Sequence, residues 1–317
     1  GAARRDFASN DTLTLRAMFS PDPFMGKRGY PLLLAAGETA NGFTPLVDRQ
    51  HPHELVMELS AAYRHDMGED ASVFVYAGLP GEPAFGPPAF MHRMSTMDSP
   101  EAPITHHWLD STHITFGVIT AGWVREEWKL EASRFTGREP DEDRFDIERP
   151  RLDSTAIRLS WNPAARWSLQ ASWADMESPE QLEPEVNDTR VSASGTYTAP
   201  IGDSGWWATT LAWGRKDPNE GEATNAVALE SAFAPNARWK LFVRFETIES
   251  HDLGPTEVVH TVSKVSVGAR RDFALTDRIR FGIGALYSIN AVADELEASY
   301  GDSPDGAMVF LSFGAGT

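Results

Sequence analysis

The sequence predicts an all-β fold, an antiparallel up-and-down β-barrel that forms a single domain over residues 1–317. Three observations support this prediction. Apolar and polar residues alternate along most of the chain, the connections between these runs alternate in length, and tryptophan recurs at the ends of the runs. The chain has no cysteine, which excludes a disulfide framework, a thiolate nucleophile and a zinc-ribbon site.

Two-residue alternation is the strongest of the three signals. In "WKLFVRFE" the apolar side chains of residues 239, 241, 243 and 245 share one face, while Lys240, Arg244 and Glu246 share the other. The stretches "STAIRLSWN", "WSLQASW" and "RIRFGIGALYSIN" repeat the pattern, and no helical period competes with it. Fourteen runs of this kind predict fourteen strands, which begin near residues 11, 53, 71, 112, 128, 153, 167, 188, 205, 224, 239, 261, 278 and 306.

Short and long connections between the predicted strands alternate along the chain. Short ones lie near residues 67–70, 124–127, 163–166, 200–204, 234–238 and 273–277, and long ones span 20–52, 80–111, 137–152, 176–187, 216–223, 248–260 and 291–305. Tight turns on one side and long loops on the other are typical of a barrel that crosses an outer membrane. Six tryptophans at strand ends suit the membrane interface, and these are Trp123, Trp128, Trp161, Trp167, Trp207 and Trp239.

In these features the chain resembles the porin-like outer-membrane β-barrel proteins of Gram-negative bacteria, over essentially its whole length. The stretch from Phe90 to Gly117, with "GYPLLLAAGETANGFTPLVDRQHPHEL" before it, is also similar to a family of uncharacterised proteobacterial outer-membrane proteins. The resemblance implies a location in the bacterial outer membrane, surrounded by lipid and lipopolysaccharide. It is compatible with both a monomer and a trimer, and it implies no established chemical activity.

The first residues leave the strand number open. The last predicted strand runs towards the short-turn side, which should be periplasmic, so an even number places both termini there. Fourteen strands suffice if residues 1–6 are a periplasmic leader. However, "GAARRD" followed by "FASND" reads as the end of a descending strand and a turn, so we favour sixteen strands for the complete protein.

The polar face of each strand is expected to point into the barrel, because lipid cannot solvate it. Mixed charge on that face indicates either ion pairs that brace the wall or a water-filled passage, and fourteen or more strands are wide enough for water unless loops fill them. The predicted pore-lining residues are Arg16, Glu58, Arg64, Arg158, Glu230, Arg244, Glu246, Lys264, Arg270 and Arg280.

The chain is acidic, with a formal net charge of −18. This balance argues against nucleic acid as a partner and favours cations. The acids concentrate in the long loops, for example in "MESPEQLEPEVND", "VADELEASYGDSPD" and "REPDEDRFDIERPR". These loops predict a solvated rim, a funnel for cations, or calcium bridges to outer-leaflet phosphates, although "DEDRFD" lacks the ligand spacing of a calcium loop.

Histidine and methionine cluster in the first two long loops. Imidazole suits copper and zinc, while thioether selects Cu(I), so the cluster predicts a copper or zinc site. The alternative is that both loops fold inward as a constriction and that the rings bond to wall charges. The candidate metal ligands are His51, His53, Met91, His92, Met94, His106, His107 and His113.

The stretch "LDSTHITF" brings Asp110, Ser111 and His113 close together in sequence and raises the hypothesis of a hydrolase. A catalytic triad is defined by geometry, however, and the chain has no Gly-x-Ser-x-Gly motif. We expect His113 to start a strand and to face inward, whereas the nucleophile of a lipid hydrolase would face lipid.

The function best supported by the sequence is an outer-membrane channel that passes small polar or cationic solutes by passive diffusion. Loops 20–52 and 80–111, lying either outside the barrel or inside its lumen, would form the constriction. The alternative is an outer-membrane protein for copper or zinc binding or resistance, and the third hypothesis is an outer-membrane hydrolase.

Overall fold

The computed structural model describes residues 2–8, 10–254 and 258–315. Within these ranges the chain forms one antiparallel sheet of fifteen strands, whose spatial order follows the chain order. The strands are Ala2–Ala8, Asp11–Phe19, Val56–Asp66, Ala71–Gly78, Val118–Arg125, Trp128–Phe135, Ser154–Ala164, Trp167–Met176, Asp188–Ile201, Gly205–Pro218, Thr224–Asn236, Trp239–Ser250, His260–Ala274, Ile279–Ala291 and Asp305–Ala315.

All fourteen predicted strands are present, and one strand precedes them. Ala2–Ala8 pairs with Asp11–Phe19, so the interpretation of "GAARRD" as a strand end is confirmed and a leader over the described residues 2–6 is wrong. Two strands begin later than predicted, at Val56 and Val118. His113 therefore does not start a strand. It ends a short 3-10 helix, Ser111–His113, because this segment is packed inside the sheet.

The exposed face of the sheet is apolar and the buried face is charged, which is the reverse of the arrangement in a soluble protein. On the strand Trp239–Ser250, Val243 and Phe245 are about two-fifths exposed, whereas Arg244 and Glu246 are buried. The same parity holds across neighbouring strands, because the register aligns one outward row of apolar residues: Leu211, Leu229, Phe245, Val265 and Ile289. An apolar outer face and a charged inner face are what a lipid-embedded barrel requires.

The six predicted interface tryptophans all lie on the outer face near short turns, and each is between 38% and 46% exposed. Trp128 and Trp161, which face each other across two strands, stack with ring centroids 5.1 Å apart. Amphipathic indole rings in this position sit at the headgroup level of a membrane. No helix among the described residues has the length and apolarity to cross a membrane.

Two long loops fold inside the sheet. The first covers residues 20–55 and contains the 3-10 helix Asp22–Met25 and two small antiparallel pairs, Tyr30–Pro31 with Arg49–Gln50 and Glu38–Thr39 with Pro45–Leu46. The second, residues 79–117, is called the plug here. It contains the short helices Phe90–His92, His106–Leu109 and Ser111–His113. Asp294–Leu296 and Glu297–Tyr300 form two more short helices before the last strand.

Hydrogen bonds fix the plug to the inner wall. The backbone amides of Ala84 and Gly86 donate to the hydroxyls of Ser133 and Ser172, at 2.8 and 2.9 Å. Further along, the indole of Trp108 donates to Thr224 at 3.0 Å. The contact is so close that a side chain at Gly214 would meet the carbonyl oxygen of Trp108, so only glycine permits the approach at this position.

An apolar cluster joins the two loops to the wall at the long-loop end of the barrel. Leu34 of the first loop packs with Ile104 and Trp108 of the plug, and wall residues complete the cluster: Ala226, Ile248 and Val262, with Leu253 and Leu296 from the outer loops. Because these side chains are at most 5% exposed, the loops behave as part of the core.

Candidate functional site

The plug is anchored by a buried arginine. Arg93 donates from Nε and Nη2 to the two carboxylate oxygens of Glu230, at 2.9 and 2.7 Å, and from Nη1 to Asp110 at 2.5 Å. All three side chains are at most 3% exposed. Since Glu230 belongs to the wall and Asp110 to the plug, the guanidinium ties one to the other with charge-assisted bonds.

A second group of buried charges lies beside the first. Lys264 of the wall donates to Glu101 of the plug at 2.9 Å. Arg244 donates to Glu246 at 2.9 Å, and Glu246 in turn accepts the backbone amide of Thr105 at 3.0 Å. Four of the predicted pore-lining residues are therefore inward-facing but covered by the plug, namely Glu230, Arg244, Glu246 and Lys264.

The opposite half of the lumen contains a cavity of about 510 Å³, open towards the short turns and called the lower cavity here. Its charges are mixed: Arg16, Glu58 and Arg158, all predicted to line a pore, are joined by Glu82, His92, Lys129 and Glu131. Burial, together with the negative charge of Asp110, raises the pKa of Glu82 to about 7, although Arg158 opposes the shift.

The remaining predicted pore-lining residues lie near the short turns. Arg64 is exposed and pairs with Asp66. Arg270 bonds Asp98 of the plug and Asp272, each at 2.8 Å. Arg280 is exposed beside the turn that contains Arg238.

A second cavity, of about 480 Å³, opens at the long-loop end and is called the vestibule here. Its floor is Trp108, and its basic lining residues are Lys216 and His251. Lys216 is already paired with Glu180. Eight acids line it: Glu180, Glu183, Glu185, Asp188, Glu220, Glu222, Glu249 and Asp252. Burial and the negative charge of Glu180 raise the pKa of Glu183, as expected where carboxylates accumulate.

Next to the vestibule, three loops bring Glu38, His107 and Glu139 together, with one potential ligand atom of each within 4.8 Å of the others. The ring nitrogens Nε2 and Nδ1 of His107 lie 3.7 Å from Oε1 of Glu38 and Oε1 of Glu139, respectively. Nε2 of His51 lies 2.7 Å from the same oxygen of Glu38. This group is called the His–Glu cluster here. It is the sole such grouping of three or more potential ligands within the described part of the chain.

Burial and neighbouring charges shift the pKa values of the residues in the cluster. Burial and the negative charge of Glu139 raise the pKa of Glu38 well above its usual value. Burial disfavours the charged form of His107, but the carboxylates of Glu139, Glu38 and Glu180 outweigh it and raise its pKa to about 9. Burial and the charge of Arg144 lower the pKa of His51. The carboxylates thus attract positive charge to this point.

The other clustered histidines form a chain of rings beside Phe90. The rings of His53 and His113 lie 5.2 Å apart and those of His106 and His113 lie 5.0 Å apart. His53 contacts Asp22 at 2.7 Å, and His106 contacts the Asp110 carboxylate at 2.6 Å. Nδ1 of His113 is bonded to the backbone oxygen of Asp110 instead, and the hydroxyl of Ser111 accepts from Arg190.

The remaining candidate ligands lie away from the His–Glu cluster. Met91 packs on the apolar group that contains Leu32 and Phe90. His92 is exposed and lines the lower cavity, and Met94 is 38% exposed.

Sequence reasoning missed the carboxylates of the cluster. Glu38 stands in "AGETANG" and Glu139 in the acidic stretch that was interpreted as a solvated rim, a calcium site or a cation funnel. No local spacing joins them to His107, because the three residues come from three different connections between strands. Their juxtaposition depends on the way the loops fold into the barrel.

No protein-family model and no curated protein sequence matches this chain. Its fold does match solved structures. OmpF of Salmonella typhi, solved in complex with daunomycin, has a TM-score of 0.57 at 9% identity, and the match covers 98% of this chain and 88% of OmpF. OmpT of Vibrio cholerae, an outer membrane protein, has a TM-score of 0.50 at 9% identity, with 99% and 86% covered. The chain therefore has the fold of these outer-membrane proteins, which confirms the predicted fold class.

Proposed function

We propose that this outer-membrane β-barrel is a narrow channel that passes small cationic solutes by passive diffusion. The observation that carries the proposal is the vestibule, where eight acids face one lysine and one histidine. A cleft lined by one sign of charge focuses the field and raises the local concentration of the opposite ion. Cations would accordingly gather at the long-loop end of the lumen.

The constriction would be formed by the plug and the first long loop. The vestibule and the lower cavity have no lining residue in common, so a solute has to pass between these loops to go from one to the other. The lower cavity carries three cationic and three anionic side chains besides His92, so it would conduct without strong selection. Selectivity is then set at the vestibule and the inserted loops.

Single-channel recording in planar bilayers tests the proposal. The wild-type protein is expected to give a steady ohmic current and a reversal potential, in a potassium chloride gradient, that shows preference for potassium. Neutralising Glu183, Glu185, Glu220 and Glu222 together to glutamine should lower the potassium-to-chloride permeability ratio by about 3–10-fold, because these exposed acids supply the field of the vestibule.

The matched control removes the same number of charges from another outer loop, by changing Asp294, Glu295, Glu297 and Asp302 to their amides. These residues are exposed but do not line the vestibule, so selectivity should change little. The effect of the vestibule variant should also fade in 1 M salt, where the screening length is about 3 Å. A silent bilayer with folded protein would refute the channel, and equal selectivity of both variants would refute the role of the vestibule.

A further inference from the structure

We propose that the His–Glu cluster is a binding site for one divalent transition-metal cation, held by Glu38, His107 and Glu139, and that zinc is the ion it matches best. This inference goes beyond the channel, because binding at equilibrium does not require an open lumen. Four observations carry it: the ligand distances, the unsatisfied atoms, the local charge and the position of the cluster.

The distances suit a metal ion. Zinc binds imidazole nitrogen and carboxylate oxygen at about 2.0–2.2 Å, so two ligands of a tetrahedral ion stand about 3.4 Å apart. One oxygen of Glu38, one oxygen of Glu139 and one ring nitrogen of His107 lie within 4.8 Å of one another, so the ligands have to approach by up to about 1.4 Å to hold one ion. Because Nε2 faces Glu38 and Nδ1 faces Glu139, the imidazole or one carboxylate has to turn so that a single ring nitrogen meets the ion.

The cluster contains buried polar atoms that lack partners. Within the described part of the chain, neither Nδ1 of His107 nor Oε1 of Glu139 has a hydrogen-bond partner, and both atoms are buried. Leaving such an atom unsatisfied costs about 1–3 kcal/mol. A bound cation would satisfy the carboxylate oxygen and one nitrogen of the ring. His51 is 9% exposed, and from 2.7 Å it holds the carboxylate of Glu38 in place, as partners of metal ligands do.

The charge around the cluster favours a divalent ion. Two carboxylates, those of Glu38 and Glu139, lie within 3.7 Å of the ring of His107, and a third, Glu180, lies close by. Carboxylates that converge at a buried point attract a cation, and a divalent ion bound there would displace the protons that otherwise neutralise them.

The cluster is also within reach of ions from outside. Glu180 lines the vestibule, and a side-chain carbon at Gly37 would lie 3.8 Å from Oε2 of Glu180 and 3.9 Å from Cε1 of His107. Cations that gather in the vestibule would therefore arrive beside the cluster. The donors are nitrogen and oxygen without sulfur, since Met91 and Met94 lie elsewhere. Such a set favours zinc over Cu(I).

Isothermal titration of zinc into the tag-free, chelator-treated protein in detergent tests the site. The wild type should bind one zinc ion. Glu139→Gln and His107→Gln each remove one ligand at nearly constant shape, and each should weaken binding by on the order of 100-fold or more. The controls are His92→Gln and Glu297→Gln, which remove an exposed histidine of the plug and an exposed acid that does not line the vestibule. Both controls should bind zinc as the wild type does.

Cobalt(II) provides a second readout, because its visible absorption reports the ligand set. The band of the wild type should be lost in Glu139→Gln and kept in His92→Gln. Heat-dependent electrophoretic mobility shows whether each variant is folded. If a ligand variant is not folded, Glu38→Gln is tested in its place. The inference is overturned if the folded wild type binds no zinc, or if the ligand variants bind zinc as tightly as the controls.

The outcomes for the site and for the channel are separable. Zinc binding by a protein that conducts no current would support the site and refute the channel. Current without zinc binding would support the channel and refute the site.

Discussion

Arg93→Ala is expected to lower the free energy of unfolding by about 3–5 kcal/mol, because it removes the guanidinium that bonds two buried carboxylates. Glu230 and Asp110 are each 1% exposed, so water does not replace the lost bonds unless the plug moves. The least costly response is for the plug to separate from the wall at this point. We therefore expect larger single-channel conductance and new protease cleavage between residues 90 and 113.

Two further arginine variants make this prediction specific. Arg93→Lys keeps the charge but cannot reproduce the forked contact with Glu230, so a smaller loss of stability is expected. Arg64→Ala removes an exposed arginine paired with Asp66, and should cost less than about 1 kcal/mol. Urea unfolding in lipid vesicles, followed by tryptophan fluorescence, measures all three. If Arg93→Ala unfolds at the same urea concentration as Arg64→Ala, the assigned anchor is wrong.

Gly86→Ala is expected to destabilise the protein by about 2–5 kcal/mol, from two causes that add. The backbone of Gly86 has φ of +66°, which is unfavourable for any residue with a Cβ atom. In addition, that atom would lie 1.8 Å from the carbonyl oxygen of Leu109. The clash would push apart two segments of the plug and weaken the bonds that Gly86 makes to Ser172 and Arg158.

Gly202→Ala is the matched control, since Gly202 has φ of +54° and no neighbouring atom within 4 Å of an added Cβ. It should show the backbone effect alone, about 1–2 kcal/mol. The same urea titration compares the two variants. If the two variants lose the same amount of stability, the plug adapts to the added methyl group, which would contradict a tight fit between Gly86 and Leu109.

The wall of the barrel could be predicted from sequence because its signal is local. Whether Val243 and Arg244 face lipid or lumen follows from a two-residue period, and that period persists across the membrane. The same reasoning placed the start of a strand near residue 112 and failed there. The stretch from Ser111 to Gly117 is rich in β-forming residues, but its environment is the interior of the barrel, so contacts with the wall override the local preference.

The candidate site could be predicted only in part. The concentration of histidine in two loops was visible, and His107 was among the candidates for metal binding. The carboxylates that complete the cluster were not visible, because Glu38 and Glu139 are about one hundred residues apart in sequence and meet only when their loops pack against each other. Sequence thus indicates which side chains can act as ligands, while the fold decides which of them meet.

The anchoring of the plug has a consequence for the order in which the barrel assembles. Arg93 meets Glu230 across 137 residues, and Glu101 meets Lys264 across 163. Contacts this distant in sequence form slowly, since the intervening chain loses much of its freedom when they close. If the late strands paired first, Glu230 and Lys264 would lack their partners from the plug, Arg93 and Glu101. The buried ion pairs are complete only after the plug has entered, so we expect the strands to close the barrel around the plug.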